Sequence, residues 1–331
     1  MIALFRQKSP ANIFLLLIFG LLIKMPLFLY PQVVKPAAED GKLYLAIINF
    51  LSGGNSDTGF GAGAISFFLL SGQAVLINYV VNEQRMTNRQ TFLPAMAYLL
   101  VTSLFPEWNY LSAPLMASVL ILWAFIKLFT LYNAAAANSI IFNIGLILGI
   151  SSFIYFPSVA FVLCLFLGLM ILRPFRINEL VLLVMGILTP YYFYAVYLFL
   201  NDKLVWSNIF PVLAFKTPEI ETTIWMAVAV VLLGIPFLMG GYYIQSHLRK
   251  MLIQARKNWS IFLLFLLLGL FVPFISNVTS LHNWVLVAAP FAAFHSCAYL
   301  YPQRKIISSF LFFLTLAFIL FQQYGTDVWK Q

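Results

Sequence analysis

PQVVKPAAEDGKLYLAIINFLSGGNSDTGFG, residues 31–61, is the stretch around which the chain is arranged. It carries an acidic pair (Glu39, Asp40), runs through a mostly apolar segment and returns through glycines. From Lys42 to Ser52 the apolar run is too short to cross about 30 Å of hydrocarbon. Wound as a helix, it puts Leu43, Ile47, Phe50 and Leu51 on one face and Lys42 and Asn49 on another. That pattern suits a helix lying flat in the membrane interface. Gly53, Gly54, Gly59, Gly61 and Gly63 then permit a tight return.

The setting comes from the rest of the chain. In 331 residues, 63% are hydrophobic and 9% charged, with a mean hydropathy of +0.95. Soluble domains carry about 25% charged residues, so a soluble globular fold is excluded. The fold class expected is all-α, a polytopic helical bundle. Eleven spans are expected at about 12–31, 62–82, 92–105, 113–131, 139–155, 157–172, 178–200, 223–245, 259–276, 284–301 and 306–324. The first follows Arg6 and Lys8 but is too long for a signal-peptide core and lacks a small-residue cleavage site, so it reads as a retained span. The third is short, and it and the fourth are either tilted or broken around Pro106. The fifth and sixth meet at Pro157 almost without a loop. Cys164 and Cys297 fall inside apolar runs and read as free, buried thiols.

Threading follows the cations. With the N-terminus inside, 13 basic residues fall in or beside inner loops, among them Arg85, Arg89, Arg173, Arg176, Arg249, Lys250, Arg304 and Lys305, against five outside. This bias sets an N-in, C-out topology, and the location expected is the inner (cytoplasmic) membrane. It also removes nucleic acid as the reason for the +9 net charge. Eight of the ten acids fall outside (Glu39, Asp40, Asp57, Glu107, Asp202, Glu219, Glu221, Asp327). Either they simply solvate the outer loops, or carboxylate chemistry takes place on that face. Trp108, Trp206, Trp225, Trp259, Trp284 and Trp329 fall near expected span ends, as interfacial anchors do.

Three places could carry chemistry. Glu39 and Asp40 either cap and charge-stabilise the flat helix or meet a substrate at the membrane surface. Glu107, in FPEWNYLSAP (residues 105–114), is either an ordinary loop acid or a carboxyl whose pKa is raised by apolar neighbours, fit for proton transfer. Lys24 lies within the first span, two residues before Pro26. It either snorkels to the headgroups or contacts a lipid phosphate, and Pro26 should kink the span and free a carbonyl nearby. Gln73, Asn78, Asn143 and Thr189-Pro190 read as interhelical glue. His247, His282 and His295 have no metal-ligand spacing, and no Walker, GxGxxG or GxSxG element is present.

One span, a long outer loop with acids and a flat helix, two crossings and a second acidic loop at Glu107 together resemble, over residues 1–200, the C-type glycosyltransferase superfamily. Those multi-pass enzymes transfer sugars from polyprenyl-phosphate donors on the outer side of the membrane. The resemblance implies a catalytic acid at Glu39 or Asp40, with Glu107 positioning the acceptor or a divalent metal and Lys24 holding the lipid phosphate. It implies a seven-span module over 1–200, followed by an outer loop and a four-span module over 201–331. The Lys24-Met25-Pro26 turn and the Arg173–Arg176 loop (RPFR) also resemble a bacterial multi-pass inner-membrane family of unknown function. The alternatives are a scaffold or accessory subunit with an envelope protein partner and, last, a transporter.

Overall fold

The structure is a computed structural model that describes residues 2–7, 9, 11–32, 40–52, 59–134, 136–205, 209, 223–275 and 280–325. Its helices are α1 (Ile2–Phe5), α2 (Ala11–Lys24), α3 (Pro26–Leu29), α4 (Lys42–Ser52), α5 (Gly59–Glu83), α6 (Leu93–Ser103) and α7 (Ala113–Phe129). There follow α8 (Ala137–Ile154), α9 (Phe161–Leu172), α10 (Ile177–Leu200), α11 (Ile224–His247), α12 (Ile253–Phe271), α13 (Ala288–Leu300) and α14 (Lys305–Leu320). No strand occurs among the described residues; the one sheet-like pairing is an isolated bridge between Asp40 and Tyr155.

Among the described residues seven helical segments are long and apolar enough to cross a membrane: Gly59–Glu83, Ala137–Ile154, Ile177–Leu200, Ile224–Lys250, Ile253–Ile275, Leu281–Leu300 and Ile306–Tyr324. They coincide with seven of the eleven expected spans. The other four fall on the shorter helices α2, α6, α7 and the Phe156–Leu172 segment. Helix α6 shows how a short apolar helix is accommodated. Every residue from Leu93 to Ser103 is buried, so its ends meet protein rather than lipid, and it ends before Pro106 instead of bending there.

Burial is graded outward from an axis. Helices α6 and α13 pack together at the centre, with α5 against α6 and α11 against α13. The segment ending in α13 is 89% buried, whereas α10, which packs mainly on α8, is 11% buried. Helix contact in lipid rests on close van der Waals packing and polar links rather than on expulsion of water. At the α8–α10 crossing, a Cβ added to Gly186 would lie 2.3 Å from the Phe142 carbonyl oxygen, so only glycine permits that approach. The link between α5, α6 and α7 is polar. Gln73 donates to the Leu115 carbonyl at 3.2 Å and accepts from the Tyr98 and Ser118 hydroxyls, the glue expected of it.

Prolines inside helices leave carbonyls without a donor, and neighbouring helices supply one. Pro236 leaves the Leu232 carbonyl without its donor, and the His295 ring lies 2.8 Å from the adjacent Leu233 carbonyl oxygen. Cys164 and Cys297 are free and buried.

Helix α4 begins and ends as the sequence indicates. Its Tyr44, Leu45 and Ile48 turn toward the protein while Leu43, Phe50 and Leu51 face outward. Two tryptophans depart from the anchor reading. Trp108 and Trp259 are 3% exposed, and their indole N–H groups donate to the Leu281 and Met86 carbonyls at 2.8 and 2.9 Å. They pin turns inside the fold because a buried indole needs an acceptor. Trp206 and Trp329 lie outside the described residues.

Candidate functional site

Lys24 ends α2 because Pro26, two residues on, cannot donate to the ladder and the chain resumes as α3. The carbonyl that Pro26 leaves open, Leu22, accepts from the Tyr324 hydroxyl at 2.8 Å. The freed carbonyl foreseen near the ammonium is thus satisfied by the far end of the chain.

The Lys24 side chain does not snorkel. It is 1% exposed and turns inward, donating to Thr102 Oγ1 at 3.0 Å, to Ser103 Oγ at 3.1 Å and to Asn109 Oδ1. An ammonium has three donors and no acceptor, so the three oxygens use it fully. The hydroxyls are aimed by their own helix: Thr102 donates to the Tyr98 carbonyl at 2.9 Å and Ser103 to the Leu99 carbonyl at 2.7 Å. Their lone pairs are thereby left for Lys24. Asn109 is carried by a short 3-10 turn, Pro106–Asn109, which Trp108 fastens to Leu281.

All three acceptors are neutral. Among the described residues no carboxylate pairs with Lys24; the one ion pair found there joins Arg173 and Glu179. Burying an ammonium costs it its hydration, and the three neutral hydrogen bonds offset part of that loss.

That charge borders a cavity of about 1020 Å³. Lys24, Asn109, Tyr110 and Gln323 supply polar groups to its wall, and Trp225 and Phe321 supply apolar surface, their rings tilted at 42° with centroids 5.1 Å apart. Gln323 donates to the Ser103 carbonyl at 3.2 Å, and its buried Oε1 accepts from nothing among the described residues. The cavity thus offers a cation, amide groups and an unused acceptor beside aromatic walls.

The acids stand differently. Glu39 lies outside the described residues. Asp40 is bridged through its backbone to Tyr155 at the end of α8, and the next residue, Gly41, donates to the Ile154 carbonyl at 2.9 Å. A Cβ at Gly41 would lie 1.9 Å from the Phe153 carbonyl oxygen, so this clasp requires glycine. Burial of Tyr44, reinforced by the Asp40 charge, pushes its phenol pKa up. Asp40 is absent from the cavity wall. Glu107 is also absent from it but lies between two residues that form it, Pro106 and Asn109. Its side chain is exposed at the tip; partial desolvation raises its pKa, and a hydrogen bond with the Leu281 backbone works the other way.

No protein-family model, curated protein or solved structure matches the chain. The likeness to C-type glycosyltransferases therefore rests on the layout of spans and acids alone.

Among the described residues no three His, Cys, Asp or Glu side chains gather. Sequence reading singled out Lys24, Asp40 and Glu107 but missed Thr102, Ser103 and Gln323. Their only signal is that a lone intramembrane cation must find oxygens at its own depth, and Thr102-Ser103 close an otherwise apolar run.

Proposed function

We propose that this chain is a multi-pass envelope membrane protein that receives the phosphate of a lipid-linked ligand in the cavity beside Lys24. The buried, uncompensated ammonium at the cavity wall carries this reading. An anionic oxygen brought there would take the place of one of the three neutral acceptors of Lys24 and gain a charge-assisted hydrogen bond in surroundings of low dielectric. With the N-in topology read from the positive-inside bias, the cavity would open to the outer leaflet of the inner membrane, where polyprenyl-phosphate lipids present their heads.

The reaction class that suits such a site is glycosyl transfer from a polyprenyl-phosphate sugar. A carboxylate takes the proton of an acceptor hydroxyl, whose oxygen forms the new bond at the anomeric carbon. The bond from that carbon to the phosphate oxygen breaks, and the departing phosphate keeps the electron pair. Lys24 stabilises that charge as it develops. Glu107 is better situated than Asp40 to be the base, because its turn forms part of the cavity wall and its raised pKa strengthens it as a proton acceptor.

The separation of Asp40 from the cavity wall favours one second reading, a non-enzymatic accessory subunit that holds such a lipid for an envelope partner. Native mass spectrometry of the protein extracted from its own membrane tests the shared core. The expected result is a retained lipid bearing phosphate, lost in Lys24→Met. Retention of the same lipids by both proteins would overturn it. Transfer assays with Glu107→Gln, Asp40→Asn and Glu39→Gln then separate enzyme from accessory subunit.

A further inference from the structure

A second cavity, about 440 Å³, lies along α11 and α12, and every residue lining it is apolar. It shares two segments with the Lys24 cavity, which use different residues for each. In the 3-10 turn, Pro106 and Asn109 line the polar cavity, while Trp108 and the preceding Phe105 line the apolar one. At the start of α11, Thr223 and Trp225 line the first, Met226 and Val230 the second. We propose that the apolar groove holds the hydrocarbon chain of the same anionic lipid whose phosphate Lys24 receives. This rests on the phosphate-binding reading and extends it to the ligand's tail.

The direction of the groove fits a lipid. From Trp225 to Leu238 the helix rises about 20 Å at 1.5 Å per residue, so the groove runs from the polar end of the bundle down α11. The indole N–H groups of Trp108 and Trp284 donate to the Leu281 and Leu270 carbonyls, which leaves ring faces rather than polar edges for hydrocarbon. Phe237 and Phe291, edge to face at 5.3 Å, add further aromatic wall. Gly234 also lines the groove, and a Cβ there would meet nothing within 4 Å. Its missing side chain widens the groove without serving any helix contact.

That glycine supplies the test. Binding of geranylgeranyl monophosphate and dimethylallyl monophosphate is measured on the full chain in nanodiscs, each corrected for partition into empty discs. The wild type should bind the long-chain phosphate at least about 10-fold more tightly. Gly234→Phe fills the groove and should erase most of that preference while leaving the short-chain phosphate unaffected; Val230→Trp, reaching in from the neighbouring turn, should do the same. If both variants fold and keep the full preference, the tail lies elsewhere in bulk lipid and the proposal fails, with the head site standing. If Lys24→Met leaves the affinity of both phosphates unchanged, the head reading fails instead, and the tail proposal goes with it.

Discussion

Two buried cations in this molecule are held in opposite ways. Arg173, with a side chain 15% exposed, is paired with Glu179 at 3.2 Å and donates to the Leu131 and Ala134 carbonyls at 3.2 and 2.8 Å. Its charge is cancelled locally, and its fork ties the loop after α7 to the start of α10. Lys24 is more deeply buried, meets only neutral oxygens and borders a large cavity. An arginine neutralised on the spot is structural. On the proposed function, a lysine whose partners are all neutral oxygens is the one that meets an anion from outside the fold.

The contrast breaks if the two cations respond alike to removal. Lys24→Met should weaken binding of a prenyl monophosphate about 30-fold, ~2 kcal/mol. It should not lower Tm, because an uncompensated buried charge leaves with it. Binding titration and thermal unfolding on the same nanodisc sample check both halves. Arg173→Met should do the reverse: phosphate binding within about twofold of wild type, and a stability loss of about 2 kcal/mol, since Glu179 is left without its partner. Thermal unfolding with and without Glu179→Gln shows whether the double variant recovers part of the loss.

Smaller changes sharpen the picture around Lys24. Tyr324→Phe removes the donor to the Leu22 carbonyl and should cost about 1 kcal/mol, read as faster hydrogen exchange in the last turn of α2. Glu107→Gln should have the smallest effect. The folded-state pKa of Glu107 is raised, so the fold favours its protonated form and stability falls as pH rises from the unfolded value through the raised one. The amide should therefore raise Tm at neutral pH, on the order of 1 °C given the exposed tip, and the difference should vanish in acid below the unfolded pKa. A difference that grows in acid contradicts the sign.

Much of the fold was legible because hydrophobic run length is a direct physical requirement of the bilayer. Seven expected spans coincide with long apolar helices, and α4 falls where a segment too short to cross was read as lying flat. What misled was treating every tryptophan near a span end as an anchor. Trp108 and Trp259 instead sit inside, because a turn carbonyl offers each indole an acceptor. The Lys24 site was half legible. A cation in an apolar run declares itself, but its partners lie 78 to 85 residues away in Thr102, Ser103 and Asn109. No local pattern announces a contact at that separation. The closure of Leu22 by Tyr324, 302 residues apart, is equally invisible to spacing.

The most direct test compares geranylgeranyl monophosphate with its uncharged alcohol, geranylgeraniol, for binding to wild type and Lys24→Met in nanodiscs. A wild-type preference for the phosphate of at least about 10-fold, lost in Lys24→Met while alcohol binding stays the same, is the result expected of a buried ammonium awaiting an anion. Equal binding of phosphate and alcohol by the wild type, or a preference that survives Lys24→Met, contradicts it.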